Sequence, residues 1–269
     1  MSAEGASATV RSGPPSPASS IRGVSLQARD VVAGYGGAPV IHGVSVDVDP
    51  GRIVSLVGPN GSGKSTLLKA LVGVIRVSSG QVLLGGSDVT NRRPEDMARS
   101  GVGYVPQVDD VFAPLTVKEN LEMGGYLLRP REVAAHVERV IEVFPRLGTM
   151  LGRRAGKLSG GERKMLAMAR VLMLEPSVVV LDEPTANLAP ALAQSLLHEQ
   201  VTRLAGTGSS VLIVEQRAKA VLEISHRTYV LGGGRTQMEG TPAELSANPE
   251  FIESFLGGGR GTALRVDGD

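Results

Sequence analysis

Cysteine is absent from this chain of 269 residues. That excludes disulfides, thiolate zinc sites and cysteine nucleophiles, and it agrees with a reducing compartment. Neither sign of charge is in excess, since 28 Lys and Arg face 27 Asp and Glu. A net charge of +1 provides no global field to hold nucleic acid, so no nucleic-acid partner is expected. Apolar runs are short. None approaches the roughly 18 residues that a membrane-spanning helix needs, and 178-VVVL-181 is stopped within a few residues. Near the N-terminus, Arg11 is the early positive charge, and Ser, Pro and Gly interrupt the chain before an apolar core could form. A signal peptide is not expected.

What the chain does have is alternation between apolar strands, glycine-rich turns and helical patterns, bounded by simpler ends. Residues 1 to about 25, with 12-SGPPSPASS-20, read as a disordered tail, and 258–269 reads as a flexible one. One domain is expected over 26–257. Its clearest strands are 44–48, 53–58, 102–105, 177–182, 210–215 and 227–234. Segments 53–57 and 178–181 are almost wholly apolar, as central parallel strands covered on both faces should be. The early strands 26–33 and 44–48 alternate and read as antiparallel. Between about 108 and 175 the pattern turns helical, with helices expected over 116–127, 131–144 and 162–174. The fold class is therefore α/β, a parallel sheet carrying a helical insertion.

The segment 58-GPNGSGKST-66 follows an apolar strand and opens a helix, the context a phosphate-binding loop requires. Gly58, Gly61 and Gly63 permit a tight turn, and together with Pro59, Asn60 and Ser62 they would wrap a polyphosphate in backbone amides. Lys64 would reach the β- and γ-phosphates, Ser65 would ligate Mg²⁺, and Thr66 continues the cradle into the helix. Downstream, 178-VVVLDEP-184 ends a buried strand in two acids. Asp182 suits the Mg²⁺ shell, and Glu183 suits activation of a water attacking the γ-phosphate. A third segment, 158-LSGGE-162, places Ser159 and Glu162 as a capping box. Gly160 and Gly161 strip that helix start of side chains, leaving a second anion-binding end. Two cradles in one chain suggest a nucleotide shared between two subunits.

Together these segments resemble the ATP-binding cassette (ABC) ATPases over about residues 26 to 256. The resemblance implies a P-loop NTPase core with an antiparallel β subdomain and an inserted α-helical subdomain, with ATP and Mg²⁺ as ligands. It implies that Tyr35, in 34-GYGG-37, stacks on adenine, and that Gln107, in 103-GYVPQ-107, joins Ser65 and Asp182 at the Mg²⁺ site and links it to the helical block. It also implies a dimer in which ATP lies between Lys64 of one subunit and Ser159 to Glu162 of the other. Such a chain works at the cytoplasmic face of a membrane through a permease.

Two departures narrow the branch. Ala189 stands where the family usually has an aspartate, and Gln216, in 211-VLIVEQR-217, stands in place of a histidine. Both are similar to the ATPase subunits of branched-chain amino-acid importers and their amide and urea relatives. Segments 111–127, 144–147 and 251–258 are similar to the shorter of the two ATPases in those importers. That branch implies a second ATPase, with a heterodimer expected and a homodimer as the alternative, two multi-spanning permeases and a substrate-binding protein. Lipopolysaccharide-export ATPases and non-transport ABC proteins are the rival readings. A glutamine keeps a hydrogen-bond donor without a titratable charge, so Gln216 would act on γ-phosphate and water by hydrogen bonding, with Glu183 as the base. Val111, Phe112 and Leu115 would either dock a permease or pack inside the helical block.

Overall fold

Residues 21–108 and 110–256 are described by the computed structural model, so most of the two expected tails lies outside the described residues. Strands β1 (Leu26–Ala33) and β2 (Ile41–Val48) pair antiparallel and bury alternate side chains. Strand β3 (Ile53–Val57) is buried throughout and feeds a loop into helix α1 (Lys64–Leu71). Strands β4 (Val77–Leu84) and β5 (Ser87–Asp88) complete an antiparallel sheet in the order β2-β1-β4-β5. Helix α2 (Pro94–Arg99) leads to β6 (Val102–Val105).

The helical block follows as α3 (Val117–Gly124), α4 (Pro130–Val143), α5 (Pro145–Gly148) and α6 (Gly160–Leu172). The chain then returns through β7 (Val178–Asp182), α7 (Pro190–Ser195), a π-helical turn at Leu196–Val201, and α8 (Thr202–Gly206). Strand β8 (Ser210–Glu215), helix α9 (Ala218–Leu222) and the hairpin β9 (Arg227–Gly232) and β10 (Arg235–Gly240) close the core. The second sheet runs β10-β9-β3-β8-β7-β6, parallel except for that hairpin.

Both faces of the central strands are covered, which explains their unbroken apolar sequence. Val54, Leu56, Val178 and Val180 pack toward α1 and the antiparallel sheet, while Ile53, Val57, Val179 and Leu181 pack toward the helical block. The result brings the ends of β3, β8 and β7 side by side, with Val57 opposite Glu215 and Asp182 opposite Val214. Ligands of open parallel sheets bind at such strand ends.

Three expectations needed correction. The strand drawn over 227–234 ends at Gly232, because Gly233 and Gly234 take φ of 53° and 73° and form the turn into β10. Strands β4 and β10, VSSGQVLL and RTQMEG, escaped the sequence reading because serine, glycine and charge occupy their solvent-facing positions. Val24 and Ser25, assigned to the tail from the sequence, are tied to the fold: the Ser25 carbonyl accepts from Gly85 N at 2.8 Å and the Val24 carbonyl from Ser210 Oγ at 2.8 Å.

Candidate functional site

The phosphate loop owes its shape to two glycines in particular. A Cβ at Gly58 would lie 2.2 Å from the Leu231 carbonyl, and Gly63 takes φ of 99°, where side chains are strained. Gly63 is also the N-cap of α1, and no side chain caps that helix. The first intrahelical bond reaches Leu67 N, so the N–H groups before it face the loop without an intrahelical partner. Ser62 Oγ is buried with no hydrogen-bond partner. Uncapped amides and an orphaned hydroxyl around one concavity fit an anion, and a polyphosphate in particular. Pro59, Asn60 and Gly61 form the exposed rim of the loop, while Thr66 is buried.

Lys64 is folded back over this cradle, its Nζ donating to the Gly58 and Pro59 carbonyls at 2.9 Å each. Burial pulls its ammonium below the ordinary lysine range, opposed by Glu183, Asp182 and Glu215. Its Nζ stands 3.8 Å from Glu183 Oε1. Beside it, Ser65 Oγ donates to Asp182 Oδ1 at 2.9 Å. Among the described residues no group of three or more His, Cys, Asp or Glu is placed to hold a metal ion by itself. Two hard oxygens, from Ser65 and Asp182, therefore suit a divalent cation such as Mg²⁺ that takes its remaining ligands from phosphate and water.

Glu183 leaves the end of β7 in a left-handed conformation, φ 46°, a backbone state that costs a non-glycine residue about 1 to 2 kcal/mol. Gln107 Nε2 donates to Glu183 Oε2 at 2.8 Å, and Gln216 Nε2 donates to the same oxygen at 2.9 Å. The three residues are thus brought together, with Lys64 on the other carboxylate oxygen. The sequence expectation puts Gln107 at the Mg²⁺ site with Ser65 and Asp182 and aims Gln216 at phosphate and water; the structure places both amides on Oε2 of the proposed base. Gln107 also joins the site to the helical block, its carbonyl accepting from Lys164 Nζ on α6 at 2.6 Å, and Lys164 pairs with Asp110 at 2.8 Å.

Glu215, at the end of β8, is buried and accepts from Thr185 N at 2.9 Å. Burial raises its carboxyl above the reference value of 4.5. An acid raised on folding contributes fully only below its unfolded value, and that contribution is lost as the pH climbs through the folded value. Glu215→Gln keeps an acceptor for Thr185. It should melt higher than the parent at pH 7, with the difference fading toward pH 4, as thermal unfolding at both pH values will show.

The LSGGE segment lies apart from the phosphate loop. Ser159 and Gly160 are exposed, Gly161 is half-buried, and the capping box is present: Ser159 Oγ accepts from Glu162 N at 3.3 Å and Glu162 Oε2 accepts from Ser159 N at 2.9 Å. Those bonds, with the Arg146 guanidinium at 2.8 Å, hold the Glu162 carboxyl below the usual range. Arg217 Nη2 donates to the Leu188 carbonyl at 3.1 Å, tying the exit of β8 to the segment containing Ala189. Tyr35 is 63% exposed beside α1, its hydroxyl accepting from Lys69 Nζ at 3.4 Å. Tyr104 Oη donates to Asp182 Oδ2 at 3.2 Å. The sequence reading assigned Tyr104 no role, because nothing in GYVPQ reveals that β6 pairs with the strand carrying Asp182.

A second concavity of about 530 Å³ opens where β6 and α2 meet α3 and α6. Val74, Met97, Phe112, Met123 and Tyr126 line it, and Phe112, Met123 and Tyr126 are 43%, 49% and 60% exposed. The apolar trio named from the sequence divides. Phe112 faces this groove under the Arg170 guanidinium, 4.4 Å from its ring, whereas Val111 packs against the core of the helical block and Leu115 is half-buried.

A phosphate cradle and an acid pair delivered to one edge by parallel strands define a P-loop nucleotide site. Residues 41–186 match the ABC transporter family model, and the chain belongs to that family of ATP-binding cassette ATPases. It is 41% identical over 225 residues to a probable branched-chain amino acid transport ATP-binding protein, LivF, of Archaeoglobus fulgidus, covering 84% of this chain and 95% of that protein. It is equally 41% identical over 224 residues to the high-affinity branched-chain amino acid transport ATP-binding protein BraG of Pseudomonas aeruginosa, covering 83% and 96%. The lipopolysaccharide export system ATP-binding protein LptB of Haemophilus influenzae is 32% identical over 86% of this chain and 97% of its own length. Among solved structures, the ADP conformation of an ATP-binding cassette of an ABC transporter superposes with a TM-score of 0.77 at 29% identity, over 87% of this chain and 99% of that one.

Proposed function

We propose that this chain is the ATP-hydrolysing subunit of an importer for branched-chain amino acids or related amide or urea compounds, acting at the cytoplasmic face of the membrane through a separate permease. The observation that carries the reading is the Glu183 site, where Gln216 and Gln107 share one carboxylate oxygen. The higher identity to LivF and BraG than to LptB favours import over lipopolysaccharide export.

In this mechanism the loop amides and Lys64 hold the β- and γ-phosphates, and Tyr35 offers its exposed ring to adenine. Ser65 and Asp182 would hold Mg²⁺, which would neutralise charge developing on the phosphate oxygens. Lys64 exchanges the Gly58 and Pro59 carbonyls for phosphate, a stronger charge-assisted partner. Glu183 takes a proton from the attacking water, and the two uncharged amides keep its carboxylate aimed. Ser159, Gly160, Gly161 and Glu162 close over the nucleotide of a second cassette, a different ATPase chain by the preferred reading, and two multi-spanning permeases with a substrate-binding protein complete the transporter.

The groove under Phe112 and Tyr126 is where a cytoplasmic helix of the permease docks, since exposed apolar side chains around a concavity are suited to an amphipathic helix. Tyr126→Asp places a charge there without touching the nucleotide site. It should leave MgATP binding by the purified chain unchanged and lose co-purification with the permease from detergent extracts. Retained co-purification would place the permease elsewhere.

A further inference from the structure

Asp182 is held from two sides. Ser65 Oγ donates to Oδ1 at 2.9 Å from α1, and Tyr104 Oη donates to Oδ2 at 3.2 Å from β6. Strand pairing explains the second contact, because Tyr104 lies opposite Val180 and Asp182 is the next residue on the same face of β7. Each oxygen thus has its own donor, and the plane of the carboxylate is set by groups on separate elements. A carboxylate has no proton to give, so in this pair the phenol hydroxyl is the donor. Its ring meanwhile packs against the core between the two sheets and lines the Phe112 groove.

We propose that Tyr104 is a positioning residue for the metal-holding carboxylate: by occupying Oδ2 it keeps Oδ1 turned toward Ser65, where the divalent cation of the nucleotide would bind. The proposal rests on reading Ser65 and Asp182 as the Mg²⁺ pair. It assigns Tyr104 the role that a carboxylate's outer hydrogen-bond partner plays in metal sites, where losing the partner costs about 10- to 100-fold in metal affinity.

Tyr104→Phe removes the hydroxyl and retains the ring that lines the groove. A fluorescent ATP analogue bound to the purified chain, titrated with Mg²⁺ and separately in EDTA, reads metal and nucleotide affinity independently of turnover. The expected result is a Mg²⁺ half-saturation about tenfold higher than the parent's, with EDTA binding and melting temperature unchanged. An unchanged Mg²⁺ half-saturation would overturn the proposal. So would equal weakening of binding in Mg²⁺ and in EDTA, which would mark Tyr104 as a packing residue. A parent whose nucleotide affinity ignored Mg²⁺ would instead overturn the metal assignment on which the proposal rests.

Discussion

Glu183→Gln lowers steady-state ATP turnover by about 10²- to 10⁴-fold while leaving MgATP binding intact, because general-base catalysis accounts for roughly that factor. The geometry makes this a clean substitution. The new side chain keeps the carboxylate's shape, and its carbonyl oxygen can take the donors that Gln107 Nε2 and Gln216 Nε2 now give to Oε2. Its remaining group is an NH₂, which cannot accept a proton from water. The left-handed backbone at φ 46° is the same for both residues, and the stability cost is confined to the lost Lys64 ion pair at 3.8 Å, which phosphate replaces when nucleotide binds. Phosphate release and equilibrium binding of a fluorescent ATP analogue separate the two effects. Turnover equal to the parent's would remove Glu183 from the mechanism.

Gln216→Ala has the second large effect, a loss of about 10- to 100-fold in turnover, the usual value of one hydrogen bond to a charged group. The loss is smaller than for Glu183 because Gln107 still holds the same oxygen at 2.8 Å. Gln216→His restores a donor and brings a titratable ring, so its turnover should gain a pH step near 6.5 that the parent lacks. A parent profile with that same step would contradict an uncharged role for residue 216. Alanine turnover at the parent's rate would show that the contact is not needed.

Much of this site could be read from the sequence because its parts are local. The phosphate loop, the acid pair and the LSGGE capping box are each contiguous, and each was found where the spacing put it. The apolar runs of β3, β7 and β8 also announced their burial, since strands covered on both faces have no polar alternation to lose. Which atoms of distant segments would touch was not legible. Gln107 and Glu183 lie 76 residues apart and Tyr104 and Asp182 lie 78 apart. Both depend on β6 pairing with β7 rather than with a sequence neighbour. Polar strands such as β10 were missed for a related reason: their pairing comes from the neighbouring strand, and their own residues carry little hydrophobic signal. The split of Val111 from Phe112 likewise follows from how the loop before α3 is pinned, with Asn120 bonding both the N–H and the carbonyl of Phe112.

Import powered by hydrolysis at Glu183 is the central claim, and uptake of radiolabelled leucine, isoleucine and valine by cells lacking this chain tests it most directly. The account predicts that uptake falls on deletion, returns with the parent chain and does not return with Glu183→Gln expressed at the same level. Uptake that is unaffected by deletion, or fully restored by Glu183→Gln, would contradict it.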